Sequence, residues 1–127
     1  MSMTLVSPKL FRTHRHEPTN SGGHLAHWCP GCNDTHEFAV ERPFRNGARW
    51  SFDGNVDAPT FNPSMNIRIG PMPTVPEGRP DAGQMRVCHY FLHAGKIQYL
   101  GDCTHAMAGQ TIDLPDLPDN EKPKQPV

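Results

Sequence analysis

Arg86-Val-Cys-His-Tyr-Phe-Leu-His-Ala-Gly-Lys-Ile-Gln-Tyr-Leu-Gly-Asp-Cys-Thr-His105 reads as a β-hairpin, and its register sorts the chemistry of the chain. The first arm alternates, and Ala94-Gly95 predicts a two-residue turn because glycine reaches positive φ cheaply. His93 then faces Lys96, Leu92 faces Ile97, Tyr90 faces Tyr99, Cys88 faces Gly101 and Arg86 faces Cys103. Side chains alternate between faces along a strand. One face therefore takes Cys88, Tyr90, Leu92, Ile97, Tyr99 and, diagonally, Cys103. The other takes His89, Phe91, Leu100 and, diagonally from His89, Asp102. Two cysteines point to one side and a His/Asp pair to the other.

Working outward, the chain has 127 residues, enough for one domain. With 14 prolines, 11 glycines and 35% hydrophobic residues, strands and structured loops are favoured over long helices. The expected fold class is mainly β, a small antiparallel sheet or hairpin domain with little helix. A net charge of −1 gives no reason to expect nucleic acid or an anionic membrane as a partner. No apolar run approaches the roughly 20 residues needed to span a bilayer, and no signal-peptide core opens the chain. A cytoplasmic location is expected, where thiols stay reduced, so the four cysteines point to metal rather than disulfides.

Residues 1–23 are expected to form an N-terminal arm, with Lys9–Phe11 as a possible short strand and His14-Arg-His16 as a solvated basic tract. The domain is placed at 24–115. His24–Cys29 and His36–Val40 read as strands joined through Cys29-Pro-Gly-Cys32, a knuckle that brings two thiolates onto one metal. A redox role would need a helix after Cys32, and none is patterned there. Arg49–Asp53 and Met65–Ile69 are further strands. Residues 70–83 form a long Pro/Gly-rich loop, of the kind that serves as a lid or an insertion. Thr104–Gly109 reads as one helical turn closed by Gly109, and Gln110–Leu114 as the last strand. The tail 116–127 has little to bury and is expected to be disordered.

Cys29, Cys32, Cys88 and Cys103 would together make a closed, all-thiolate zinc site, the structural kind. His27, His89 and His105 are alternative ligands, and a site with an open position would instead be catalytic. The remaining reactive set is Ser64, His89, Asp102 and His105. Prolines at 59 and 63 stiffen the backbone around Ser64, which is either a presented nucleophile or a turn residue. His89 with Asp102 makes a base and its orienting carboxylate; otherwise His89 is a packed histidine and Asp102 a cap. His105 is the rival base. Thr104 and the amides of 106–109 are candidates for an oxyanion hole.

His27-Trp-Cys-Pro-Gly-Cys32, Trp50-Ser-Phe-Asp-Gly54, Pro59-Thr-Phe-Asn-Pro-Ser64, Cys88-His89 and the block Gly95 to Pro115 occur in one order. Together they resemble a family of small zinc-binding bacterial and phage proteins of formerly unknown function, some mislabelled ammonia monooxygenase. Some members are similar to the peptidase of bacterial ubiquitin-like conjugation operons. The resemblance implies a serine-type peptidase with a bound Zn2+, processing or removing a ubiquitin-like protein at its C-terminal tail. Ser64 would be the nucleophile, His89 or His105 the base and Asp102 the orienter. Two other readings stay open: a non-enzymatic zinc-stapled binding or phage structural protein, and a zinc-dependent hydrolase.

Overall fold

The computed structural model describes residues 3–13, 24–41, 43–70 and 85–121. The tract His14-Arg-His16, the long loop from 71 onward and the end of the tail from 122 lie outside the described residues. Those described form two antiparallel sheets. The first is β1 (Met3–Leu5), β2 (Phe11–Thr13), β3 (Leu25–Cys29) and β4 (Asp34–Phe38), in that order. The second is β5 (Ser51–Phe52), β6 (Phe61–Ile69), β7 (Arg86–His93), β8 (Lys96–Tyr99) and β9 (Thr111–Asp113), again in order. The expected mainly β class holds. Helical structure among the described residues is confined to a short 3-10 turn at Asp119–Glu121, and no helix there is long and apolar enough to cross a membrane.

The β7–β8 hairpin keeps the expected register from Tyr90 opposite Tyr99, through Leu92 opposite Ile97, to His93 opposite Lys96. Strand pairing stops at Tyr99, short of the expected Cys88–Gly101 and Arg86–Cys103 pairs, and the Thr104 amide bonds Val87 O instead. Ala94 and Gly95 both take positive φ, 49° and 75°. That is the pair of angles whose twist matches a right-handed hairpin. Thr60 Oγ1 accepts the Ala94 amide at 2.8 Å, and Pro59 O accepts the Gly95 amide at 3.0 Å. The strand before the hairpin therefore holds the turn.

Phe38 of the first sheet stacks on Phe61 of the second, with centroids 4.1 Å apart. Tyr90, Tyr99, Leu92, Ile97, Trp50 and Leu114 close the core around them. Each such side chain contributes about 1.5–3 kcal/mol by leaving water. A smaller cluster of Phe11, Ala26 and Leu117 lies on the first sheet.

Three expectations need correction. Residues 3–13 do not stand apart as an arm: β1 and β2 extend the first sheet through β3. Leu117, in the segment expected to be disordered, is buried and donates its amide to Pro8 O at 2.9 Å. Its one large apolar side chain finds the Phe11 cluster, which composition averages hide. Thr104–Gly109 forms turns rather than a helical turn. There the Met107 amide donates to His105 Nδ1 at 3.2 Å, a local side-chain bond that competes with helix.

Candidate functional site

The second sheet assembles Ser64, His89 and Asp102. Asn66 pairs with His89 across β6 and β7, so Ser64, two residues earlier on β6, lies diagonally from His89 on the same face. The register slips between Phe61 and Met65. Residues 62–64 therefore bulge, and bulges re-aim side chains. Ser64 Oγ lies 3.2 Å from His89 Nε2, and His89 Nδ1 lies 3.1 Å from Asp102 Oδ2. A carboxylate can only accept, so His89 carries its proton on Nδ1 and leaves Nε2 to accept from Ser64. The His89 hydrogen bond, with the Arg68 charge nearby, holds the Asp102 carboxyl below its usual range. Arg68 lies 3.5 Å from Asp102 Oδ2.

The face is partly open. His89 is 22% exposed and Asp102 43%, enough for a substrate to reach them. A cleft of about 430 Å³ lined by Val40, Arg49, Trp50, Ser51 and Phe52 lies alongside. It adjoins the serine through Trp50, whose indole N–H donates to Ser64 O at 3.2 Å.

The opposite face of β7 gathers the thiols. Cys29, Cys32, His36 and Cys88 place their ligand atoms within 4.8 Å of one another. Cys103 is not among these four; it falls in a second group with Cys88 and His105. The reason is local. Cys103 Sγ accepts the His89 amide at 3.3 Å and donates to His89 O at 3.2 Å, so it braces the backbone of His89. His36 was missed in the sequence. The available signal was its spacing, four residues after Cys32 of the Cys29-x-x-Cys32 pair, on the strand that returns from the knuckle.

Hydrogen bonding fixes how His36 presents itself. His27 Nδ1 lies 3.1 Å from Trp28 O, so it is the protonated nitrogen and Nε2 must accept. Tyr90 OH supplies that proton at 2.6 Å. The same oxygen then accepts from His36 Nδ1 at 3.1 Å. His36 Nε2 is thereby left with a free lone pair, the tautomer a metal needs. Burial lowers the His27 pKa to about 4, so that ring stays neutral.

Cys29 is driven toward the thiolate by hydrogen bonds from Cys32 and Cys88, and those same hydrogen bonds push the Cys32 and Cys88 thiols up. Three thiolates at this spacing need a cation, which deprotonates such thiols outright. Tyr99 OH adds a hydrogen bond to Cys29 Sγ at 3.1 Å. The donor set fits zinc with three thiolates and one imidazole, a closed tetrahedral set.

His105 sits on the metal side, away from its expected place as rival base. Its Nδ1 accepts the Met107 amide, so Nε2 carries the proton and donates to Cys88 Sγ at 3.4 Å. A Cβ on Gly31 would come within 2.4 Å of the His105 ring, which explains the glycine in Cys-Pro-Gly-Cys. Of the oxyanion-hole candidates, the amides of Thr104, Met107 and Ala108 are already bonded, to Val87 O, His105 Nδ1 and His105 O.

No curated protein and no solved structure matches the chain. Residues 5–100 match the family model described as bacterial ubiquitination-like system serine protease (BubE). That span takes in Ser64, His89 and three of the thiols, and ends just before Asp102.

Proposed function

The chain belongs to the BubE family, the serine proteases of bacterial ubiquitination-like systems, and from that premise we propose that it cleaves at the C-terminal tail of a ubiquitin-like protein with Ser64 as nucleophile, His89 as base and Asp102 as orienter. The observation that carries this reading is the Ser64–His89–Asp102 chain of 3.2 and 3.1 Å. Ser64 Oγ attacks the scissile carbonyl and passes its proton to His89 Nε2. The tetrahedral adduct expels the amine, which takes that proton from His89. Water then enters, again losing a proton to His89, and as the carboxylate leaves, His89 returns that proton to Ser64 Oγ. Asp102 holds the imidazole in the required tautomer throughout, with Arg68 beside it.

Zinc held by Cys29, Cys32, His36 and Cys88 is structural in this reading. It would supply the charge that lets three thiolates, two of them buried, coexist. Cys88 and His89 are consecutive on β7 and face opposite ways, so anchoring Cys88 also fixes the strand that carries the base.

The test uses a ubiquitin-like protein bearing residues beyond its mature C-terminus, with the released fragment read by mass spectrometry. Ser64→Ala is expected to fold, keep its zinc and lose turnover to background. Asp102→Asn is expected to lose on the order of 10⁴-fold, the usual cost of presenting the wrong tautomer. Unchanged turnover in a folded Ser64→Ala protein would move the nucleophile elsewhere.

A further inference from the structure

Among the described residues, β6 has no strand beside it past Asn62 on the side away from β7. Successive strand residues turn their main-chain N–H and C=O groups to opposite sides. On β7, Val87 O and His89 O accept from Thr104 and Leu100, away from β6. Cys88 and Tyr90 therefore turn their main chain toward β6, where they pair with Ile67 and Met65. By alternation Asn66 and Arg68 point the other way, away from β7. The Trp50 indole on Ser64 O marks the same outward side. Strand β5 covers that side only as far as Asn62, opposite Ser51. The chain just before β5 leaves for the first sheet, where the Trp50 amide bonds Ala39 O. Among the described residues no strand lies along Ser64–Ile69 on that edge.

We propose that this edge, Ser64 to Arg68, is the strand on which the substrate docks: an extended peptide tail adds to β6 and exchanges main-chain hydrogen bonds with Asn66 and Arg68. The inference rests on Ser64 being the nucleophile. The occupant follows from the geometry. Alternate amides and carbonyls, which no described strand pairs, repeat at the spacing of another extended chain, so strand addition gives affinity with little demand on side chains. His89 flanks Ser64 from the β7 side and the tail lies on the opposite side, so the serine sits between its base and the scissile carbonyl. The cleft at Arg49 and Trp50 stands where β5 leaves off and receives the side chain nearest the cut. Substrate selection then depends on a flexible, unfolded tail more than on particular residues, as suits removal of a protein tag from varied attachments.

The test uses two boron acids that add to a serine hydroxyl, phenylboronic acid and acetyl-tetra-alanyl boronic acid. Alanine isolates the main-chain contribution. The peptide is expected to bind at least tenfold more tightly than phenylboronic acid, and N-methylation at alternate amides should remove most of that gain while methylation of the intervening amides leaves it. The amides of Asn66 and Arg68 should exchange with solvent at least tenfold more slowly in the peptide adduct. Equal affinity for the two acids, or methylation effects without alternation, overturns edge docking while leaving the nucleophile in place. A second copy of the chain pairing on this edge gives that same equal affinity together with a dimer, and also overturns it. Binding of neither acid overturns the nucleophile itself, and the docking with it.

Discussion

Tyr90 shows how much one residue settles. Its hydroxyl receives His36 Nδ1 and donates to His27 Nε2, so a single buried oxygen decides the tautomer of both rings. The arrangement needs His27 to be neutral, and burial keeps it so, with its pKa lowered from 6.5 to about 4. The sign of the consequence follows. Between those two values the unfolded chain binds a proton that the folded chain refuses. The stabilisation is complete above pH 6.5 and is lost as pH falls toward 4. A shift of this size corresponds to about 3 kcal/mol at most. The ring resonances of His27 are expected to stay unchanged from pH 7.5 to 5 in NMR spectra of the folded protein. A midpoint near 6.5 would show that the ring is not sealed in the core.

At the scale of the element, the hairpin is held by a turn whose first position is unusual. Ala94 takes φ of 49°, a conformation that costs a residue with a Cβ roughly 1–2 kcal/mol unless the side chain helps. Asparagine tolerates it better and is favoured before glycine in this turn. Ala94→Asn is therefore expected to raise stability by about 0.5–1 kcal/mol, seen as a higher urea midpoint with an unchanged slope. A lower midpoint would mean that the Ala94 side chain makes contacts which the asparagine disturbs. The hairpin is also where the sequence was most legible. Its alternation and two-residue turn determine which face each side chain takes, so His89 with Asp102, and Cys88 apart from both, could be read directly. Ser64 was legible only as a stiffened serine, because its distance from His89 depends on a bulge between Phe61 and Met65 that no periodicity records. Cys103 misled because the same diagonal that aims it at the metal side also places its sulfur against the His89 main chain. His36 stayed hidden because its role depends on Tyr90 and His27, residues brought to it by pairing and packing rather than by spacing.

The described residues form two sheets joined by the main core and, across that core, by the Cys29–Cys32–His36–Cys88 ligand set. Cys29, Cys32 and His36 come from β3, the knuckle and β4 of the first sheet, and Cys88 from β7 of the second. Strands β5, β8 and β9 are short, at two, four and three residues, and contribute little cooperative strength alone. A structural zinc of this donor type contributes about 10–16 kcal/mol in small peptides, as large as the net stability of a typical domain. Without a bound metal, the Cys29, Cys32 and Cys88 sulfurs would crowd together with no cation between them. The two sheets are therefore expected to come apart together. Calorimetry with a zinc chelator at pH 7 should lose the single unfolding transition, and hydrogen exchange should show β3, β4, β6 and β7 deprotected in parallel. Restoring one equivalent of zinc should restore both. If β6 and β7 kept their protection after the metal was gone, the second sheet would be stable by itself. The Ser64–His89 pair would then owe its geometry to the hairpin and the aromatic core alone, and metal would serve only the knuckle.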